Sequence, residues 1–405
     1  MTVAPAGALR EQFPVVADGG IAYLDSAATA QTPLPVIDAM DAYYRDYRAS
    51  IHRGVYDLAT RATDAYEAAR TTIARFVGST EPETIFTRNA TEAINLVAYS
   101  WGGANLRAGD LVVVTEMEHH SNIVSWQLAA QRAGAELAYV RVTDDGHLDL
   151  DHLDELLERG PKLVGVVHAS NVLGTVNPIA EIVRRARRAG AVTMVDGSQA
   201  VPHLPVDVGA LDADFYAWTG HKLYGPTGIG VLHGKRELLE AMPPFIGGGH
   251  MIAKVGEQAS TYAELPAKFE AGTGSIAEAI GLAAACDFVS GVGVDAMHAH
   301  DRELSALLLE KLRSVPGVTV HGPTDPDERV ALASFALDGV HPHDVAEILG
   351  SRGVCVRAGH HCAQPLMRRL GVPASSRASC ALHTQPEELD RLVDALNRVR
   401  EIFAD

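Results

Sequence analysis

Between residues 111 and 232, short apolar runs alternate with longer amphipathic ones, and this alternation restricts the fold more than any other feature of the chain. The runs Leu111–Thr115, Leu137–Val142, Leu163–His168, Val192–Asp196, Phe215–Trp218 and Ile229–Leu232 have the length and apolar character of buried strands. Helical periodicity is clearest after Pro178. There Ile179, Ile182, Val183 and Ala186 recur on one face, arginines fill the other, and Gly190 supplies a stop. Repeated strand–helix units predict a mainly parallel sheet covered by helices on both faces. Sheets of that kind receive ligands beyond the carboxyl ends of their strands, so the residues just after each strand are the ones to read for chemistry.

After Gly281 the pattern changes. Helical stretches at Ala296–Val315 and Gln385–Phe403 flank strand-like runs at Val318–His321, Val330–Leu337 and Val354–Arg357. The expected organisation is a large domain over 21–285 and a smaller α+β domain made of 1–20 and 286–405. Lys and Arg number 34 against 51 Asp and Glu, a net charge of −17, which argues against nucleic acid or an anionic membrane surface as a partner. No run approaches the roughly 18 apolar residues needed to span a bilayer, and the first ten residues do not read as a signal peptide, so a cytoplasmic protein is expected. Four cysteines in 405 residues are too few for a disulfide scaffold and direct attention to a single working thiol.

The strand Val192–Val195 ends in Asp196-Gly197-Ser198-Gln199. A carboxylate there either faces a ligand or caps a turn. The strand Phe215–Trp218 leads into Thr219-Gly220-His221-Lys222-Leu223-Tyr224-Gly225-Pro226. A lone lysine among glycines, partly withdrawn from water, loses its proton readily and becomes a nucleophile toward a carbonyl. An acid for a pyridinium proton together with a Schiff-base lysine is what pyridoxal phosphate (PLP) requires. Arg88-Asn89-Ala90-Thr91-Glu92 opens a helix after Ile85-Phe86 and suits either a phosphate or a plain helix cap. His119 and His120 follow the strand Leu111–Thr115 and suit ring stacking or proton transfer, with a metal as the alternative. Asn171 follows Leu163–His168. Arg357-Ala358-Gly359-His360-His361-Cys362 places two imidazoles before a thiol, which would favour the thiolate; a metal cluster with Cys355 is the competing idea. Cys286, Cys355 and Cys380 read as inert packing residues.

These motifs resemble those of the fold-type I, PLP-dependent cysteine desulfurases, in particular the group II (SufS-type) branch that includes selenocysteine lyases. The likeness runs from Tyr23-Leu24-Asp25-Ser26-Ala27-Ala28-Thr29 to Arg377-Ala378-Ser379. It is most specific in Met117-Glu118-His119-His120-Ser121-Asn122, in Gly220-His221-Lys222-Leu223-Tyr224-Gly225-Pro226 and in the short loop ending at Cys362. The resemblance implies that Lys222 carries the cofactor and shuttles the substrate Cα proton, Asp196 pairs with the pyridine nitrogen, Gln199 bonds the ring oxygen, Asn171 also contacts the cofactor, and His119 stacks on the ring and takes part in catalysis. It implies that Ala90, Thr91, Thr219 and His221 hold the phosphate, with Thr273 reaching the phosphate of a neighbouring subunit in a homodimer. Arg377, with Asn171, Ala28 and Arg357, would receive the substrate, and Cys362 would take its sulfur as a persulfide.

L-cysteine would then yield L-alanine, and a SufE-like or SufU-like protein would collect the sulfur, most naturally for iron–sulfur cluster assembly. His341-Pro342-His343-Asp344 resembles a surface motif of enzymes served by the zinc-containing SufU type. The chain departs from many relatives in having Asn89-Ala90 before Thr91, Gly274-Ser275 after Thr273, and His383-Thr384-Gln385 near the end. Selenocysteine lyase activity, another PLP reaction such as that of an aminotransferase or a kynureninase-like enzyme, and a non-catalytic sulfur-carrier or metal-binding protein are the other functions weighed. No metal is expected.

Overall fold

The computed structural model describes residues 9–404. The first eight residues of the expected small domain therefore lie outside the described residues. A short strand β1 (Ala22–Tyr23) is followed by the seven strands of the large sheet: β2 (Thr84–Thr87), β3 (Leu111–Thr115), β4 (Glu136–Val140), β5 (Leu163–Val167), β6 (Val192–Asp196), β7 (Phe215–Thr219) and β8 (Gly230–Gly234). Their order is β2-β8-β7-β6-β5-β3-β4. The pairs from β7 across to β4 are parallel, as the strand–helix alternation predicts. The last predicted strand departs from that pattern, because β8 runs antiparallel to both β7 and β2. Its connection to β7 is the short Lys222 segment, too brief for the helical crossover that parallel neighbours need.

Each face of this sheet meets its own apolar layer. Val113, Val164, Val166, Val195, Tyr216 and Trp218 point to one side, where Ile179, Ile182, Val183 and Ala186 of helix Ile179–Arg188 are buried. Ile85, Val112, Val114, Met194, Phe215 and Leu232 point to the other, toward helices Ala90–Asn105 and Ser121–Ala133. Burial of each such large side chain contributes about 1.5–3 kcal/mol before conformational entropy is subtracted. The outward face of helix Ile179–Arg188 is held by Arg185, which bonds Glu181 and Asp154.

Two further strands, β9 (Ile252–Val255) and β10 (Ser260–Tyr262), form a hairpin. The smaller antiparallel sheet has the order β11-β12-β15-β14, from β11 (Val318–Val320), β12 (Leu332–Leu337), β14 (Arg357–Gly359) and β15 (Ser375–Ser379). The run expected as one strand over Val354–Arg357 is split: β13 (Val354–Cys355) pairs with β1, and β14 pairs with β15. Helices Val294–Arg313, Pro342–Ser351 and Pro386–Ile402 cover this sheet around a core that includes Leu308, Phe335, Leu349 and Leu396. Arg10 ties the N-terminal arm here through a buried ion pair with Glu388 at 2.7 Å. Helix Ile276–Val292 straddles the expected boundary at 285/286 and packs on helices Leu34–Ala42 and Asp57–Phe76. Among the described residues no single helix is long and apolar enough to cross a membrane.

Candidate active site

The chain runs from β3 to β4 on one side and then places β5 on the other side of β3, so the sheet has a topological switch between β3 and β5. Beyond the carboxyl ends of β3, β5, β6 and β7 lies an open volume of about 800 Å³. Ala28, Ala90, Thr91, His119, Asn171, Asp196, Gln199, Thr219, His221, Lys222, Arg357, Cys362 and Arg377 all line it. The structure thus brings together, around one cavity, every site residue expected from the sequence except Thr273. Thr273 lies in a separate hollow with His52, Arg53 and His250.

Lys222 stands on a tight return from β7. Gly220 donates its N–H to Ile229 O, and Gly225 donates back to Gly220 O. A side chain at Gly225 would sit 2.9 Å from that carbonyl, so the turn requires glycine. Burial lowers the Lys222 ammonium to about 8; Arg377 and Arg357 push in the same direction, while Asp196 and Cys362 oppose it. Asp196 ends β6, is buried, and accepts the N–H of Ser198 at 3.0 Å. The carboxylate therefore makes a turn contact as well as facing the cavity. Below it, Tyr216 packs so closely on Gly197 that an added Cβ would lie 2.0 Å from its ring, and the Tyr216 hydroxyl meets His168 Nδ1 at 2.8 Å.

At one end of the cavity, Asn89 caps helix Ala90–Asn105 by accepting the Glu92 N–H, so the segment is a helix cap, and it also faces the cavity. The first-turn amides of such a helix have no intrahelical acceptor and favour an anion. His119 accepts the backbone N–H of Ser121 at Nδ1; burial, then Lys222, lowers its pKa to about 4. Burial and Lys222 likewise lower His221 to about 4. Behind His119, the buried Glu118 accepts from Thr115, Asn122 and the Val167 N–H, and burial raises its carboxyl to about 8.

At the other end, Arg377 on β15 and Arg357 on β14 are direct cross-strand partners. Like charges placed opposite each other are unfavourable, and among the described residues the one carboxylate bonded to this pair is Asp25, 3.2 Å from Arg377. Arg377 also donates to Asn171 O at 2.8 Å, and burial lowers its guanidinium to about 10. Cys362 occupies the loop after β14, where His361 and Cys362 both have left-handed backbone, with φ of 51° and 56°. Three contacts pin the loop: His120 N–H to Cys362 O at 2.7 Å, Gln364 N–H to His120 Nε2 at 3.0 Å, and Asn171 Nδ2 to His361 O at 2.7 Å.

The expectation that paired histidines favour the Cys362 thiolate is corrected for His361. Its Nε2 donates to Ser375 O, and burial lowers it to about 3, so it is neutral. Lys222 and Arg377 are cations within electrostatic reach of Cys362. His119 and His120 diverge, with ring centroids 6.3 Å apart, and among the described residues no group of three His, Cys, Asp or Glu is placed to hold a metal ion. Burial pushes the Cys286, Cys355 and Cys380 thiols up. Ser121, Ser198 and Ala27 also line the cavity; each lies inside a motif quoted from the sequence but was given no role there.

The cavity wall carries buried polar atoms with no protein partner: Asn171 Oδ1, Gln199 Oε1, Thr219 Oγ1, His361 Nδ1 and Arg377 Nε. Each such atom costs about 1–3 kcal/mol if left unsatisfied, so the cavity is built for a polar occupant that carries both acceptor and donor groups. Thr219 beside the helix N-terminus fits a phosphate, and Arg377 fits a carboxylate. Gln199 spends its Nε2 on Ala27 O and presents Oε1, an acceptor, so a partner there must donate.

The model of the class-V aminotransferases matches residues 22–392. The chain belongs to that family. Within it, a probable cysteine desulfurase of Streptomyces coelicolor is 50% identical over 98% of this chain and 97% of its own length. A cysteine desulfurase of Haloferax volcanii is 48% identical over 95% of this chain and 90% of its own length. The crystal structure of the cysteine desulfurase CsdA from Escherichia coli matches with a TM-score of 0.92 and 39% identity, covering 99% of this chain and 100% of that one. The fold is that of the fold-type I enzymes, with Lys222 just after a strand of the large sheet and Cys362 just after a strand of the small one.

Proposed function

We infer that this class-V aminotransferase is a PLP-dependent cysteine desulfurase that converts L-cysteine to L-alanine and leaves the sulfur on Cys362. Homology at about 50% identity supports the desulfurase activity. The observation that carries the residue assignment is the set of unpartnered polar atoms around a cavity shared by Lys222, Asp196, Arg377 and Cys362. When bound, pyridoxal phosphate supplies an electron sink that makes the substrate Cα hydrogen acidic and loosens the Cβ–Sγ bond.

The protein's groups do the rest. Asp196 holds the proton on the pyridine nitrogen, while Thr91, Thr219, His221 and the first-turn amides, Ala90 included, hold the phosphate. Arg377, oriented by Asp25 and Asn171 O, takes the substrate carboxylate by a charge-assisted grip. Lys222, its amine already prone to lose a proton, takes the Cα hydrogen and later returns a proton to Cα, while the proton that Cβ gains balances the one lost by the substrate thiol. The Cys362 thiolate bonds to the substrate Sγ as the Cβ–Sγ bond breaks. Its electron pair stays on carbon and is protonated, giving alanine and a Cys362 persulfide.

A SufE-like or SufU-like thiol then takes the outer sulfur and restores Cys362; iron–sulfur assembly is the proposed destination. The exposed His341 and His343, at the N-terminus of helix Pro342–Ser351, are the proposed contact for the SufU type. A homodimer is proposed as well, because Leu34, Ile37, Tyr99, Val124 and Leu128 expose apolar side chains on three helices.

The test is an assay of the PLP-loaded protein with L-cysteine, measuring alanine and sulfide together, with and without an acceptor. Equal alanine and sulfur, accelerated by acceptor and lost at least about a hundredfold in Cys362→Ala, is the expected result. Pyruvate or another keto acid as product overturns the reading in favour of another PLP reaction.

A further inference from the structure

We propose that Ser121 is a positioning residue that fixes the tautomer of His119 and couples that ring to the anion-holding hydroxyl of Thr91. The proposal rests on the reading of this cavity as a phosphate-bearing cofactor site. Ser121 opens helix Ser121–Ala133. Its backbone N–H donates to His119 Nδ1 at 3.1 Å, and its Oγ lies 2.9 Å from the same nitrogen. A ring nitrogen that accepts an N–H keeps its lone pair there, so the neutral imidazole carries its proton on Nε2. The environment of His119, buried and close to Lys222, holds the ring in that neutral form.

The same Ser121 Oγ is 2.7 Å from Thr91 Oγ1, and all three residues line the cavity. Two hydroxyl hydrogens serve this chain of contacts. While Thr91 donates to Ser121, the Ser121 hydrogen is left for His119 Nδ1. Once Thr91 turns its hydrogen to an anion, its oxygen is free to accept, and the Ser121 hydrogen is then shared between Thr91 Oγ1 and His119 Nδ1. No proton changes owner, yet the grip on the anion and the hydrogen bonding of the imidazole become linked. Alanine at 121 removes the hydroxyl and leaves only the backbone N–H, so the preference for one tautomer weakens and the link to Thr91 is lost.

The experiment uses PLP-loaded enzyme labelled with 15N-histidine, with His119→Asn identifying the His119 ring signals. In the unaltered enzyme His119 Nδ1 is expected at the position of an unprotonated nitrogen and Nε2 at that of a protonated one. In Ser121→Ala both signals should move toward the averaged positions of mixed tautomers, and Ser121→Thr, which keeps the hydroxyl, should restore them. The turnover number should fall roughly tenfold in Ser121→Ala, with KM for cysteine within about twofold and cofactor retained, as expected for loss of an orienting partner. His119 signals unchanged in Ser121→Ala overturn the proposal. Should the protein prove inactive on cysteine, the function proposed above fails while the ring spectrum still decides the role of Ser121.

Discussion

The two sides of the cavity are built by different means. On the large sheet, Asp196 and Lys222 stand at or just beyond strands whose backbone bonds run on both sides, so main-chain pairing sets their positions. On the small sheet, Cys362 sits past the end of an edge strand of three residues, in two successive left-handed residues held by backbone and side-chain groups from elsewhere. His120 and Asn171, which supply those contacts, follow β3 and β5 of the large sheet. The Cys362 loop is thus positioned by the opposite wall. The difference teaches that the electrostatic half of the site is built into the sheet, whereas the thiol half is assembled only when the two sheets meet.

Changes on the two walls should therefore separate. The largest effect is expected from Lys222→Ala, which should lower alanine formation by about a thousandfold or more, measured by single turnover, with the melting temperature little changed. Next comes a pH effect. Lys222 titrates near 8, below an ordinary lysine, and only its neutral amine reacts with a carbonyl. The rate at which apoprotein takes up PLP should thus rise with pH through about 8 and then level, falling about tenfold per unit below that. A surface-like lysine would keep rising to about 10.4.

His120→Ala should act on the thiol wall alone. Losing the acceptor for Gln364 N–H costs about 1 kcal/mol, so persulfide formation should slow about fivefold while cofactor uptake is unchanged. Equal loss of both would dissolve the distinction between the walls. The smallest effect concerns the strained backbone. Cys362→Gly should be about 1 kcal/mol more stable than Cys362→Ala by denaturant unfolding, since left-handed φ costs a side chain but not glycine.

What could be read from the chain follows the same division. Short apolar runs marked β3, β5, β6 and β7 to within a residue, because strands buried on both faces have an apolar pattern of their own, and residues just beyond them became the cavity wall. The antiparallel turn of β8 was not visible, because its apolar run carries no sign of strand direction; only the shortness of the Lys222 connection does. The split of Val354–Arg357 into β13 and β14 was hidden as well, since it depends on β1 arriving from more than 300 residues away. Neighbouring histidines suggested a cationic setting for Cys362, but burial against Ser375 keeps His361 neutral, and burial is a property of the packed chain. Ser121 escaped notice because a serine at a helix start reads as a cap until the rings and hydroxyls around it are in place.

The central claim is that both walls act on one substrate molecule, Lys222 on its carbon and Cys362 on its sulfur. The most direct test mixes PLP-loaded enzyme with L-cysteine in the absence of acceptor, then counts alanine and maps sulfur by peptide mass. One alanine per subunit, with the mass of one sulfur atom added to the Cys362 peptide and to no other, is the expected result. Alanine formed with Cys362 unmodified, or with the sulfur on Cys286, Cys355 or Cys380, would contradict it.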